Sequence, residues 1–269
     1  MVAAPGYFKF SPGAYSIPKA KVVTAVGMFY DLESPNEFIA DVAKVLAPDG
    51  VFIAQLMCLK NMLALGDIGN LCHEHLEFYS LRSLEHLFGS HGLEIFDIET
   101  NAVNGESYRL YVRHKSSYIG ASEEACNRVT DAFNHEANLK LYDPETCRTW
   151  FSNAEANRDC CRNFIADELD KGKTVWIYGA STKGNVLLQW LGAPSNWFGG
   201  AADRSPEKVG KFTVGTGIPI VSEEEFRKAQ PDYAMVLPYS FRKEFLAREV
   251  EWRDRGGKFI FPLPTFEVV

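Results

Sequence analysis

The sequence has no apolar run approaching the ~20 residues a helix needs to cross a bilayer. Its first residues lack the basic-then-apolar order of a secretory leader. No C-x-x-C pair occurs: cysteines stand at 58, 72, 126, 147, 160 and 161, and the adjacent last two cannot easily both bridge. A reduced, cytoplasmic setting is the expectation that follows. A basic excess is also missing, with 28 Lys and Arg against 35 Asp and Glu and a net charge of −7. That excludes the broad basic face of a nucleic-acid binder, but not a few cations around one small anion. There is no repeat of fixed period, no low-complexity tract, and neither a G-x-G-x-x-G fingerprint nor a P-loop.

What is present is ample core material, 19 Phe, 11 Tyr and 5 Trp, in a chain of 269 residues, long enough for two domains. KVVTAVG at 21–27 reads as a buried strand. NEFIADVAKVL at 36–46 has helical spacing, APDG at 47–50 is a turn, and VFIAQL at 51–56 is the next strand. Strand, helix, turn, strand predicts a parallel α/β arrangement. SLRSLEHLFGSHG at 80–92 predicts a helix with a Ser cap and a Gly stop. LEIFDIE and YRLYVRH follow as strands joined through an Asn-Gly step, which favours an antiparallel pair. Residues 120–171 read as one or two connecting helices, with Ser122 and Asp143 as starts. From 172 onward strands alternate with helices, predicting a small doubly wound parallel sheet.

Four segments have the residue types that carry chemistry. In YGASTKGN at 178–185, between a strand and a helix, Gly179 permits a sharp turn and Gly184 a close helix–strand approach. Free backbone N–H groups at the helix start, with Ser181, Thr182 and Lys183, suit a phosphate; an ordinary turn with a solvated lysine is as good a reading. DRSPEK at 203–208 ends the next strand, so Arg204 and Lys208 face the same region, where a diphosphate or only solvent would meet them. In CHEH at 72–75 a histidine beside a carboxylate suits general base work. Cys72, His73 and His75 also have weak metal-ligand spacing, and a polar loop with a structural histidine explains the segment equally well. Asn104-Gly105-Glu106-Ser107-Tyr108-Arg109 places Asn104 and Arg109 where a sugar or phosphate is reachable, although Asn-Gly more simply makes a hairpin.

Together these segments resemble one family, the S-adenosylmethionine-dependent C-methyltransferases that act on nucleotide-linked deoxysugars. MFYDLESPNEF at 28–38, APDGVFIAQL at 47–56, CHEHLEFYSL at 72–81 and NGESYRLYVRH at 104–114 are similar to its methyltransferase-domain segments. YGASTKGNVLLQW at 178–190, ADRSPEKVGKFTVGT at 202–216, PIVSEEEFR at 219–227, PDYAMVLPYSFRKEF at 231–245 and GGKFIFPLP at 256–264 are similar to its C-terminal domain. The resemblance implies an α/β chain: a partial class I methyltransferase (Rossmann-like) domain over 1–118, a helical connector over 119–171, and over 172–269 a second small Rossmann-like doubly wound parallel-sheet domain that binds a nucleotide sugar.

It also implies roles. His75, with Glu74, is the base that enolises a nucleotide-diphosphate 4-keto-deoxysugar. Met28 and Phe29 lie against S-adenosylmethionine. Tyr79, Asn104, Arg109, Tyr178, Ser181, Thr182, Lys183, Asn185, Arg204 and Lys208 contact the substrate. No metal, nucleic acid or membrane partner is implied for this chain. Family members begin with a cysteine-rich zinc module and a glycine-rich donor loop, and nothing before residue 21 resembles either. The resemblance therefore places them in an N-terminal region or a companion chain outside this sequence. Cys72 stands where some members have Tyr, and Glu106 where Gly is usual. A nucleotide-sugar-binding module without methyl transfer is the alternative. A nicotinamide-dependent oxidoreductase fits less well, because the glycine spacing is wrong and Asp203 is the only ribose-binding candidate.

Overall fold

The structure, a computed structural model, describes residues 18–101 and 107–269. Elements follow in the order β1 (Ala20–Val26), α1 (Pro35–Val45), β2 (Leu46–Met57), α2 (Leu59–Ala64), α3 (Leu81–Ser90), β3 (Leu93–Asn101), β4 (Ser107–His114), α4 (Glu123–Asn138), α5 (Pro144–Asp170), β5 (Val175–Tyr178), α6 (Thr182–Leu191), β6 (Phe198–Asp203), β7 (Ile220–Ser222), α7 (Glu223–Ala229), β8 (Tyr233–Val236), α8 (Arg242–Arg248), α9 (Val250–Asp254), β9 (Lys258–Phe261) and β10 (Glu267–Val268). The chain divides into two units. The first is Met1–Asn61 with His73–Thr146, and the second is Met62–Cys72 with Cys147–Val269.

The first unit holds a mixed sheet of order β1-β2-β4-β3. β1 and β2 are parallel, while β4 inserts antiparallel between β2 and β3. The APDG segment is not a free turn. It lies within β2, where the pairing with β1 jumps from Ala20–Leu46 to Val22–Val51 and absorbs the extra residues as a bulge. An aromatic cluster fills the core: Phe29 lies 5.2 Å from Tyr79 and 6.1 Å from Phe88, ring centre to ring centre. Ser80 caps α3 in a reciprocal pair with Ser83. β1 has no second neighbour among the described residues, and Val22 and Val26 on it are each 59% exposed.

The second unit holds a six-stranded sheet of order β10-β9-β8-β5-β6-β7, parallel apart from the short β10. Read from β5, the chain builds outward through β6 and β7 on one side, then returns to add β8 and β9 on the other. This is one half of the doubly wound arrangement, with its switch point beside β5. The period of two in Val175-Trp176-Ile177-Tyr178 assigns the faces. Val175 and Ile177 pack with Cys161 and Ile165 of α5 and Leu187 of α6. Tyr178 and Trp176 pack with Phe226, Phe245 and Trp252 of α7, α8 and α9.

The stretch read as a connector is shared between the units. Ser122 caps α4, whose Glu136 is fully buried in the first unit and accepts from Leu81 N at 2.8 Å and Tyr108 Oη at 3.1 Å. Most of α5 belongs to the second unit, where Ala154, Cys161 and Ile165 form its buried stripe.

Candidate active site and anion cleft

In the first unit the His-Glu-His loop is held by backbone bonds from Leu76 N (2.9 Å) and Glu77 N (3.1 Å) to Tyr30 O. The half-buried His75 ring meets Tyr30 edge to face at 4.7 Å, while His73 and Glu74 are exposed. Partial burial lifts the Asp31 carboxyl above its usual range; the His75 charge pulls it back and Glu74 pushes it up. Tyr30 and Asp31 therefore join His75 and Glu74 in one polar group. Sequence reading missed both. The signal lay in the MFYD string, which the resemblance marked but gave no chemistry beyond Met28 and Phe29. An imidazole near carboxylates is a group that can take up a proton near neutral pH.

Other expected site residues of this unit have different surroundings. The Phe29 side chain is wholly inside the aromatic core, so only its backbone remains for a ligand; Met28 is half-buried against that core. Tyr79 is 7% exposed with no hydrogen-bond partner for its hydroxyl, and burial pushes that hydroxyl's pKa up. Arg109 bridges strands: Nη2 donates to Gln55 Oε1 at 3.1 Å and Nη1 to Glu99 Oε2 at 3.2 Å. Three of its five N–H donors are thus engaged by β2 and β3, and the side chain stays 40% exposed. Asn104 lies outside the described residues.

A methyl donor implied by the family resemblance finds one wall among these residues. Gly27, at φ +66°, turns the chain at the end of β1, and Met28 follows. The orphaned Tyr79 hydroxyl is a polar atom fit for a ligand. No described residue there belongs to a glycine-rich loop, so the fit is partial.

In the second unit an open cleft of about 270 Å³ lies beyond the carboxyl ends of β5, β6 and β8, at the switch point. It is lined by Gly179, Ser181, Arg204, Lys208, Phe241 and Arg248, among others. The two loops expected to face each other do so. Ala180 N donates to Asp203 Oδ2 at 2.9 Å, and Lys208 Nζ reaches Ala180 O (2.8 Å) and Asp203 Oδ2 (3.1 Å). Gly179, at φ +88°, touches Pro238 so closely that any Cβ would lie 2.6 Å from its ring. Arg204 is 73% exposed, 3.5 Å from Glu244.

The remaining expected contacts divide. Ser181 caps α6, its Oγ accepting from Gly184 N at 3.0 Å. Thr182 opens that helix, exposed. Asn185 Oδ1 accepts from Val214 N at 3.1 Å and so ties down a neighbouring loop. Tyr178 has its ring in the core and its hydroxyl 2.6 Å from Glu249 Oε1, leaving one edge on the cleft floor. Lys183 is not in the cleft lining; its Nζ stands 3.7 Å from Asp67 Oδ2. Asp203, the ribose-binding candidate of a dinucleotide reading, already accepts from Ala180 N, Ser205 N and Lys208. Among the described residues, no group of three or more His, Cys, Asp or Glu is placed to hold a metal, and no helix is long and apolar enough to cross a membrane.

Residues 102–264 match the family described as C-methyltransferase C-terminal domain. The chain is 31% identical over 250 residues to the C-methyltransferase NovU of Streptomyces niveus, a match covering 93% of this chain and 59% of that protein. The chain thus spans well under two thirds of that relative's length. Solved structures align weakly: the mitomycin 7-O-methyltransferase MmcR at TM-score 0.30 and 14% identity, over 37% of this chain and 31% of its own. LepI in complex with SAM aligns at TM-score 0.30 and 11% identity, over 38% and 28%. Likeness at that level has no bearing on activity. The match to the C-terminal domain covers more than half of the sequence, and with it the cleft between the two loops: the chain belongs to the C-methyltransferase family.

Proposed function

We propose that this chain forms the acceptor side of a C-methyltransferase, binding a nucleotide-diphosphate 4-keto-deoxysugar and making one of its carbons nucleophilic. The cleft at the switch point of the second sheet carries the reading. Its cations, the exposed Arg204 and the half-buried Lys208 that also bonds Ala180 O and Asp203, suit a diphosphate, and Phe241 offers an exposed ring to a base. In the first unit His75 takes the proton from the carbon beside the keto group. The electron pair moves into the enolate, and the resulting imidazolium is stabilised by the Asp31 and Glu74 carboxylates. S-adenosylmethionine, when bound, supplies an electrophilic methyl group. Among the described residues β1 has an unpaired edge, with Val22 and Val26 exposed, which a further strand could cover.

Thymidine diphosphate titrated calorimetrically into the chain is expected to bind saturably. Arg204→Ala and Lys208→Ala should each weaken that binding by about tenfold. His75→Asn should slow deuterium uptake at the acidic sugar carbon by about 10²–10⁴-fold. Tight binding of a nicotinamide cofactor, with none of the diphosphate, would refute the reading. Nucleotide-sugar binding without methyl transfer is a second reading, favoured by the partial donor wall; titration with S-adenosylmethionine separates the two.

A further inference from the structure

Lys183 sits in the first turn of α6, within the segment whose composition most suggests phosphate binding, yet its side chain points at a buried carboxylate. Asp67 belongs to Met62–Cys72, a stretch of the second unit that lies in sequence between two stretches of the first. Three features hold that stretch. Ile68 is buried in the core formed by α5, α6 and the sheet. Gly69 lies against the helix so closely that a Cβ would stand 3.1 Å from Lys183 Cβ and 3.2 Å from Lys183 O. The Asp67 side chain is 4% exposed; Asn70 Nδ2 donates to its Oδ2 at 2.5 Å, and the Tyr239 hydroxyl hydrogen-bonds it as well. Burial raises the Asp67 carboxyl's pKa, and the Lys183 charge draws it back down. A carboxylate so buried needs a counter-charge, and Lys183 is placed to supply it.

Directly after Cys72 come His73, Glu74 and His75. We propose that Lys183 is a positioning residue rather than a phosphate ligand: its ion pair with Asp67 clamps Met62–Cys72 onto α6 and so fixes the chain from which the His-Glu-His loop departs. The catalytic consequence rests on reading His75 as the base; the clamp does not. The cleft retains its own cations in Arg204 and Lys208, so the proposed diphosphate binding does not call on Lys183.

The test uses the full chain with Lys183→Met, Asp67→Asn, the double variant and Lys183→Arg. Backbone amide exchange over 66–77 should rise by at least about tenfold in either single variant, with no further rise in the double. Lys183→Arg should restore most of the protection. The His75 ring resonances should move in Lys183→Met and return in Lys183→Arg, a change that a loss of stability alone would not produce. Thymidine diphosphate affinity should stay within about twofold in every variant. Unchanged exchange, unmoved His75 resonances, or a loss of diphosphate binding confined to Lys183→Met would overturn the clamp. A wild-type chain that never exchanges the sugar proton would sink His75 as the base while leaving the amide-exchange result to decide the clamp.

Discussion

The two sheets bury their strands differently. The sheet of the second unit is covered on both faces, so β5 alternates between two apolar layers. Among the described residues the sheet of the first unit ends in β1, which exposes two valines along an edge without a partner strand. The lesson is that apolar composition alone does not say whether a strand is central. KVVTAVG reads as a buried strand, yet among the described residues it has one partner strand, whereas VWIY has neighbours on both edges and both faces. Polar interiors differ too. Glu136 in the first unit is satisfied by neutral donors, whereas Asp67 in the second faces a lysine.

The largest expected effect tests the doubly covered sheet. Phe226, fully buried against Tyr178 and Trp252, should cost about 3–5 kcal/mol when changed to Ala, measured by urea unfolding. A loss below about 1 kcal/mol would mean that face is loosely packed. Glu136→Ala strands the Leu81 N–H and the Tyr108 hydroxyl in the interior and should cost about 2–3 kcal/mol, while Glu136→Gln should cost less because one acceptor oxygen remains and the tyrosine hydroxyl can turn to accept from the new amide. Gly184→Ala places a methyl 2.7 Å from Leu237 and should cost about 1–3 kcal/mol.

A smaller effect concerns pH. Burial raises the carboxyls of both Glu136 and Asp67 in the folded state. Each therefore favours folding below the ordinary carboxyl value of about 4, and that contribution is lost as pH rises through the raised folded value. Carboxyls with lowered values, such as Asp97, are already ionised in this window and act below it. Wild-type stability should thus decline from about pH 4 upward, and Glu136→Gln should flatten the decline. A steeper slope in the variant would contradict this assignment. The smallest effect belongs to the open edge: Val22→Lys with Val26→Lys should change stability by no more than about 0.5 kcal/mol. A much larger loss would show that β1 is covered, and the contrast between the sheets would fail.

Much of the fold was legible because its signals are local. The Ser caps at 80 and 122 and the strand–helix alternation after 172 depend on neighbours within a turn or two. The APDG bulge was not legible, because a turn sequence and a bulge look alike until a partner strand sets the register. The site was legible in outline: the two loops at 179–183 and 203–208 do converge. The individual roles were less so. The resemblance implies ligand contacts for Arg109, Asn185 and Lys183, and each also makes a contact within the protein that no local pattern announces. Tyr30 entered through its ring contact with His75 and Asp31 through the electrostatic influence of His75 on its carboxyl, which no spacing reveals.

By itself, then, the amino-acid order determined the elements, their caps and the family, since these rest on periodicity, backbone preference and contiguous motifs. Only the tertiary structure decided which polar side chains stay free for a ligand. That choice depends on which distant groups burial brings within a few ångströms, as Asp67 is brought to Lys183 and Glu136 to Leu81.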